Sequence, residues 1–402
     1  MDTMQPPPPL RLLLADDDQQ VLSALRRRIS SLREEWVVVV CQSVEIAIES
    51  MHSDPPDAIV TDLKMVGQMG TVLLEHARNT RPTCFRIVLS ACAEHNLVMD
   101  SIDLCHRFFP KPCDAGDLVD AVEAGVAELQ KSMPKDLRVW VALSKSLPAA
   151  PRLYEHISAL INNPASNIEM VAAMIEREPS ITARLLRAAN SAFFGARHGV
   201  NSVQDAVGLI GMDAVTSVVL GCELFASTAS TDWQEKLWQH SMQTAALARP
   251  IATQIGADVD ATFTAALLHD VGKIILADVL GHQVWQDRLD EGKEKGQLPW
   301  VAEEASFGTH HSAVGGLQFV LWGFPDKIVQ AVRWHHQPSR CPAAASRCAA
   351  AVHLADALAH SWADPTEAAA ACDELWLESC GIPSSPESYA SLYHLIEEPP
   401  HV

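Results

Sequence analysis

Ala58-Ile59-Val60-Thr61-Asp62-Leu63-Lys64-Met65 is the stretch whose reading decides the fold of the N-terminal part of this chain. The four residues before Asp62 form an apolar run that reads as a buried strand, and Gly70 follows a few residues later. Three other runs end in the same manner. Leu12-Leu13-Leu14-Ala15 ends in Asp16-Asp17, Arg86-Ile87-Val88-Leu89 ends in Ser90, and Arg107-Phe108-Phe109-Pro110 is followed by Lys111-Pro112. Helical spacing separates the runs, as in Val21, Leu22, Leu25 and Ile29, or in Ile46 to Met51 before Asp54-Pro55-Pro56. Val37 to Val40 reads as a further strand and Ala121 to Leu129 as a closing helix. Strands alternating with helices predict βαβ units and a parallel sheet. In such a sheet the ligand crevice lies at the carboxyl ends of the strands, so three carboxylates, a hydroxyl and an ammonium converge there.

Each residue type has a task at such an edge. A carboxylate can act as a nucleophile and carry an acyl phosphate. Mg²⁺ takes oxygen ligands in octahedral geometry, from one or two carboxylates and phosphate oxygens. A lysine neutralises phosphoryl charge as a point charge.

These residues resemble the pattern of a response-regulator receiver domain. The resemblance implies an acidic pair at Asp16 and Asp17, a phosphoacceptor at Asp62 with Mg²⁺ bound beside it, and phosphoryl contacts from Ser90 and Lys111. It also implies a switch aromatic at Phe108. The chain departs from the family pattern at Val66, where proline is usual. The Lys111-Pro112 bond is a candidate cis peptide, because X-Pro bonds adopt cis cheaply.

Composition narrows the remaining possibilities. The chain has 402 residues, enough for two or three domains, and 48% of them are hydrophobic. A formal net charge of −20 argues against nonspecific nucleic-acid binding, which lysine and arginine carry. The proline-rich N-terminus, Gln5 to Pro9, does not read as a signal peptide. No apolar run approaches the roughly 20 residues of a membrane span. Ten cysteines without a CxxC pair fit reduced thiols in a cytoplasmic protein.

Beyond Ser132-Met133-Pro134-Lys135-Asp136 the strand signals stop. Apolar positions at helical spacing recur over Leu153 to Ile161, Ile168 to Ile175, Ile181 to Ala189, Val203 to Ile210, Ala214 to Phe225 and Trp238 to Ile255. An alanine-rich helical tail extends to about Ala371. Pro179 near a helix start and Gly195 past an end have the expected asymmetry.

This half carries a second constellation: His240, His269-Asp270 and Asp356. Imidazole with carboxylate suits Mn, Fe or Zn. His310-His311 and His335-His336 supply further imidazoles for a second metal or a phosphate, and His353, Asp356 and His360 share a helix face.

The order His240, His269-Asp270, Asp356 is similar to the metal set of the HD phosphohydrolase superfamily. The surrounding region resembles its HDOD (HD-related output) branch through Leu147-Pro148, Glu178-Pro179-Ser180-Ile181, the segment Leu185 to Gly195, Val203 to Val207, Leu209-Ile210-Gly211, Leu267 to Lys273 and Trp322-Gly323-Phe324-Pro325. HDOD domains are regarded as signalling modules without demonstrated catalysis, linked to cyclic di-GMP, motility and virulence. The related HD-GYP domains hydrolyse cyclic di-GMP, but the Gly-Tyr-Pro motif is missing here, echoed only by Gly323-Phe324-Pro325.

The expected fold is therefore a doubly wound parallel α/β sheet (flavodoxin-like receiver) followed by an all-α HD-like domain. The expected divisions are a flexible N-terminus at 1–9, a receiver at 10–130, a linker at 131–137, an HDOD domain at 138–340 and its helical extension at 341–402. The expected partners are a sensor histidine kinase or phosphotransfer protein upstream and a signalling protein downstream, such as a cyclic di-GMP enzyme. The output reads first as non-catalytic. The alternative is a receiver-regulated, metal-dependent phosphohydrolase acting on a cyclic dinucleotide or other phosphoester, with Lys273 or one of the paired histidines stabilising developing charge. A third reading is a cyclic di-GMP sensor using Arg184, Arg187 and Arg197.

Overall fold

The protein is seen here in a computed structural model that describes residues 9–90, 104–130, 152–161, 163, 166–190, 200–224, 232–363, 373–383 and 392. The chain divides into two compact units, one with all the described strands and one wholly helical among the described residues.

The first unit alternates β1 (Arg11–Ala15), α1 (Gln19–Leu32), β2 (Val37–Cys41), α2 (Val44–Ser53), β3 (Ala58–Asp62), α3 (Gly70–Thr80), β4 (Phe85–Ser90), β5 (Arg107–Pro110) and α4 (Ala115–Gln130). All strand pairs are parallel, in the order β2-β1-β3-β4-β5. β3 is buried along its whole length because helices cover both faces of the sheet. One core layer gathers Leu13, Ile59, Val44 and Leu73; another gathers Leu63, Leu74, Val88 and Cys105, with half-buried Phe108 against it. Cys41 is buried, as its apolar setting predicts. The helix expected over Ala121 to Leu129 begins earlier, at Ala115, where Gly116 N donates to Asp114 Oδ1 at 2.7 Å and starts the turn.

The order of the strands positions the site. The direction of winding reverses between β1 and β3, so their carboxyl ends open on a crevice. Asp16 follows β1 and Asp62 ends β3.

The second unit runs through α5 (Arg152–Ile161), α6 (Ile168–Ile175), α7 (Pro179–Ala189), α8 (Val203–Ile210) and α9 (Met212–Leu224). It continues with α10 (Asp232–Ile255), α11 (Val259–Leu268), α12 (Val271–Leu280), α13 (His282–Glu294), α14 (Pro299–Phe307), α15 (His311–Trp322), α16 (Asp326–Trp334), α17 (Ser346–Ala363) and α18 (Glu374–Ser379). Local chemistry sets several starts. Asn167 caps α6 through Met170 N, Ser202 caps α8 through Asp205 N, and prolines occupy the first turns of α7 and α14. The pairing of α10 with α11 and α17 forms the core that holds the histidines. The linker at 131–137, Gly195 and the helical tail beyond Ala363 to Ala371 lie outside the described residues. Among the described residues no single helix is long and apolar enough to cross a membrane.

Candidate functional sites

The strand ends of the first unit bring Asp16, Asp17, Asp62 and Lys111 together. Ligand oxygens of the three aspartates all lie within 4.8 Å of one another. Lys111 Nζ donates to Asp16 Oδ2 at 2.8 Å and to Asp62 Oδ2 at 2.6 Å. Burial opposes charging of Lys111, but its bonds to Asp16 and Asp62 outweigh it and raise its pKa. Backbone donors orient the acids: Asp18 N reaches Asp16 Oδ1 at 2.9 Å, and Val66 N reaches Asp17 Oδ2 at 3.0 Å. The departure at Val66 thus retains a backbone N–H that proline would lack. Gly70 is required where it stands, because a Cβ there would collide with the Asp62 carbonyl. The Lys111-Pro112 peptide is cis. Ser90 pairs with Pro110 at the same sheet edge; its side chain lies outside the described residues.

The helical unit gathers a larger cluster. His269 ends α11 and Asp270 begins α12, so the junction turns both side chains inward, and each is at most 1% exposed. His240 from α10 places Nε2 3.0 Å from Asp356 Oδ1 on α17 and 3.8 Å from Asp270 Oδ2. His269 Nε2 stands 3.4 Å from Asp270 Oδ2 and 3.5 Å from Asp356 Oδ1. Lys273, one turn into α12, donates to Asp270 Oδ2 at 2.6 Å. From the other side His311 Nε2 approaches Asp270 Oδ1 at 3.2 Å and His336 Nε2 at 2.8 Å. A Cβ on Gly272 would collide with the His311 carbonyl, so the glycine after the His-Asp pair is what admits α15 so close.

Hydrogen bonding aims the imidazoles. His269 Nδ1 donates to Ala266 O and His335 Nδ1 to Val332 O, both at 2.7 Å. Each Nε2 faces the cluster, buried and without a hydrogen-bond partner among the described residues, and on a neutral ring it is the nitrogen with the lone pair. Three groups have metal-holding spacing: His240-His269-Asp356, His269-Asp270-His335 and His311-His335-His336. They are linked through His269 and His335. Orphaned buried nitrogens beside two carboxylates fit first-row metal ions, whose histidine ligands must be neutral.

Burial pushes His240 down to about 4 against the pull of Asp356, and holds His335 and His336 well below the ordinary imidazole value. Burial also opposes charge on His311, but Glu303 chiefly, with Asp270, lifts it to about 9. His360 rises to about 9 beside Asp356, likewise against burial.

Two expectations need refinement, and one residue is added. Of the pair His310-His311, only His311 enters the cluster. His310 bonds Ser312 Oγ at 2.7 Å and meets Trp300 edge-on, while Trp300 stacks on His336. His353, placed on one face with Asp356 and His360, serves the periphery. Its Nδ1 donates to His335 O and its Nε2 accepts from Asp373 N. Glu303 was not identifiable as a site residue in the sequence: it is 0% exposed and accepts from His311 N, His311 Nδ1 and Trp285 Nε1. It sits in Val301-Ala302-Glu303-Glu304 with no histidine or aspartate nearby, and its sole signal is the helical face it shares with buried Ala302 and its neighbours. Arg197 and the Arg187 side chain lie outside the described residues.

Comparison with known proteins agrees with the two-part fold. The response regulator receiver domain matches residues 12–123 and the HDOD domain matches residues 147–338. The chain thus carries a receiver domain followed by an HDOD domain, an order that supports a response-regulator-type signalling protein. A receiver domain implies a phosphodonor partner.

A candidate phosphohydrolase from Shewanella amazonensis SB2B is 20% identical, with a TM-score of 0.50 covering 64% of this chain and 95% of that one, and shares its fold. An HDOD domain protein of unknown function from Geobacter sulfurreducens is 27% identical, with a TM-score of 0.45 over 52% of this chain and 72% of that one. An uncharacterized protein from Treponema pallidum (strain Nichols) is 23% identical over 200 residues, 49% of this chain. The match spans only 39% of the length of that curated relative.

Proposed function

We propose that this protein is a phosphorylation-controlled response regulator in which Asp62 accepts a phosphoryl group from a histidine kinase or phosphotransfer protein. The observation that carries the reading is the pair of hydrogen bonds that Lys111 Nζ donates to Asp62 and Asp16, which sets a cation beside the nucleophile. Asp16, Asp17 and Asp62 suit Mg²⁺, an oxygen-seeking ion. In the transfer, the donor's P–N bond breaks as an O–P bond forms on an Asp62 oxygen. Lys111 and Ser90 then contact the phosphoryl oxygens, and half-buried Phe108 is the switch aromatic. The HDOD domain reads this change out to a downstream signalling protein in a cytoplasmic pathway linked to cyclic di-GMP. Phosphate alters the output only through different affinity for two states. The test is labelling of the full chain by acetyl phosphate or a kinase with Mg²⁺: wild type labels and Asp62→Asn does not. Equal labelling of the two proteins sinks the proposal.

A second reading is favoured by a separate observation, the lone pairs of His269 and His335 facing two buried carboxylates. The HDOD domain would hold Mn, Fe or Zn through His240, His269, Asp270, His311, His335, His336 and Asp356, and hydrolyse a cyclic dinucleotide or another phosphoester. A bound metal lowers the pKa of its water and polarises a phosphoryl oxygen. Lys273 supplies a fixed cation for the developing charge. Metal analysis of the purified chain with a phosphodiesterase assay on cyclic di-GMP tests it. Turnover lost in His269→Ala makes the output an enzyme; bound metal without turnover leaves a metal-stabilised signalling module.

A further inference from the structure

We infer that Glu303 is a positioning residue, the carboxylate that holds His311 in the orientation and tautomer in which its Nε2 serves as a metal ligand. The inference rests on the metal-holding reading of the helical domain.

His269 and His335 each give their Nδ1 proton to a backbone carbonyl three residues back, on the preceding turn of helix. His311 is the first residue of α15 and has no preceding turn to offer a carbonyl. The acceptor has to come from another element. Glu303, on α14, provides it. Its Oε2 takes His311 Nδ1–H at 2.7 Å and also His311 N–H at 2.8 Å, one of the amides left open at a helix start. Its Oε1 takes Trp285 Nε1–H from α13 at 3.0 Å, which pins the carboxylate to a third helix.

The chemistry of the group matches this role. A fully buried carboxylate is costly, and an apolar side chain of similar volume would serve packing better. Only a carboxylate accepts all three donors, because a glutamine amide would turn N–H groups toward at least one of them. With one proton held on Nδ1, it is the Nε2 proton, facing Asp270 and His336, that a metal displaces, which leaves the Nε2 lone pair directed into the cluster. An anionic partner on the far nitrogen also makes an imidazole a more basic ligand. Lys273 and the carboxylates Asp270 and Asp356 occupy the other side of the cluster, so among the described residues the hydrogen bonds of Glu303 reach the inner groups through His311, while its charge also acts on Lys273.

The experiment uses the full chain, with Co²⁺ alone as probe, and measures its affinity by calorimetry and visible absorption. A second measurement, nitrogen-15 NMR of the histidine rings, is made on the metal-free protein. The variants are Glu303→Gln, His311→Ala, their combination, and Trp285→Phe. Expected is a loss of roughly 10–100-fold in Co²⁺ affinity for Glu303→Gln, similar to His311→Ala, with no further loss in the combination. Trp285→Phe, which keeps both bonds to His311, stays near wild type. The Nδ1 proton of His311 is strongly deshielded in wild type, where a carboxylate accepts it, and moves upfield in Glu303→Gln, where the acceptor is at best a neutral amide oxygen. Glu303→Asp, which keeps the charge but withdraws it by one methylene, gives the same loss and substitutes if Glu303→Gln does not fold. Wild-type affinity in Glu303→Gln alongside weakened His311→Ala overturns the inference and leaves the metal reading intact. Wild type that binds no Co²⁺ overturns the metal reading and the ligand role of His311 with it.

Discussion

Lys111 Nζ sits 2.6 Å from Asp62 Oδ2 and bridges it to Asp16 across the crevice between the ends of β1 and β3. The ammonium neutralises part of the charge that would draw Mg²⁺ to the same acids, and it is also the group placed to meet a phosphoryl oxygen. The two tasks respond oppositely to its removal. Lys111→Ala is expected to tighten Mg²⁺ binding several-fold while slowing phosphoryl capture from acetyl phosphate by about 100-fold or more, since removing one fixed donor aimed at developing negative charge costs about 2.7–4 kcal/mol. Titration calorimetry and labelling rates on one preparation check both. Weaker Mg²⁺ binding in the variant would mean that Lys111 organises the acids and does not compete with the ion.

Gly272 gives a prediction about packing. A Cβ there would strike the His311 carbonyl and stand 3.0 Å from Gly315 N, both of them backbone, so no side chain can move aside. Gly272→Ala must push α12 and α15 apart. Overpacking a core costs about 1–3 kcal/mol, and a backbone collision belongs at the upper end. The expected result is a lower denaturation midpoint together with weaker Co²⁺ binding, because the shift also carries His311 from Asp270. A variant as stable as wild type would show that the two helices separate freely.

What could be read from the sequence follows from how local each cause is. Asp16, Asp62 and Lys111 are legible because each directly follows an apolar run, and strand ends of a parallel sheet share one edge. The His269-Asp270 pair is legible because adjacent residues at a helix junction need no tertiary information to be neighbours. Which member of His310-His311 turns inward was not legible. That choice is made by Gly272 and Glu303, which lie far away in the chain or carry no motif. Glu303 itself looks like any helical acid until three helices fold around it. The boundaries moved for a similar reason: α4 begins at Ala115 through a turn at Asp114, a polar signal that apolar periodicity does not register.

Metal removal is expected to destabilise the helical unit. An ion that binds the folded cluster and not the unfolded chain adds about 2.7 kcal/mol at a hundredfold excess over its Kd. Without it, the Nε2 lone pairs of His269 and His335 stay buried and unsatisfied. Dialysis against a chelator should therefore lower the thermal midpoint, and Mn²⁺ or Co²⁺ should restore it in wild type but not in His269→Ala. A midpoint indifferent to chelator and to added metal would show that the cluster folds as a set of buried polar residues alone.

Glu223 supplies a pH test away from both sites. It accepts Leu153 N at 3.3 Å and Tyr154 N at 3.1 Å at the start of α5, and burial pushes its carboxyl up to about 7 against these bonds. Between the ordinary carboxyl value and about 7 the folded protein therefore holds a proton that the unfolded chain has released. Stability rises with pH only where the unfolded state binds more protons, so here it falls. The contribution is fully present below the ordinary value and is lost as pH rises to about 7. At about 1.4 kcal/mol per unit the loss is on the order of 3 kcal/mol. Glu223→Gln removes the titration and keeps the shape. The wild-type midpoint minus that of the variant, followed by helical signal in denaturant from pH 4 to pH 8, should decline with pH. A difference that rises with pH instead would show that the amide donors of α5 outweigh burial and hold Glu223 ionised in the folded protein.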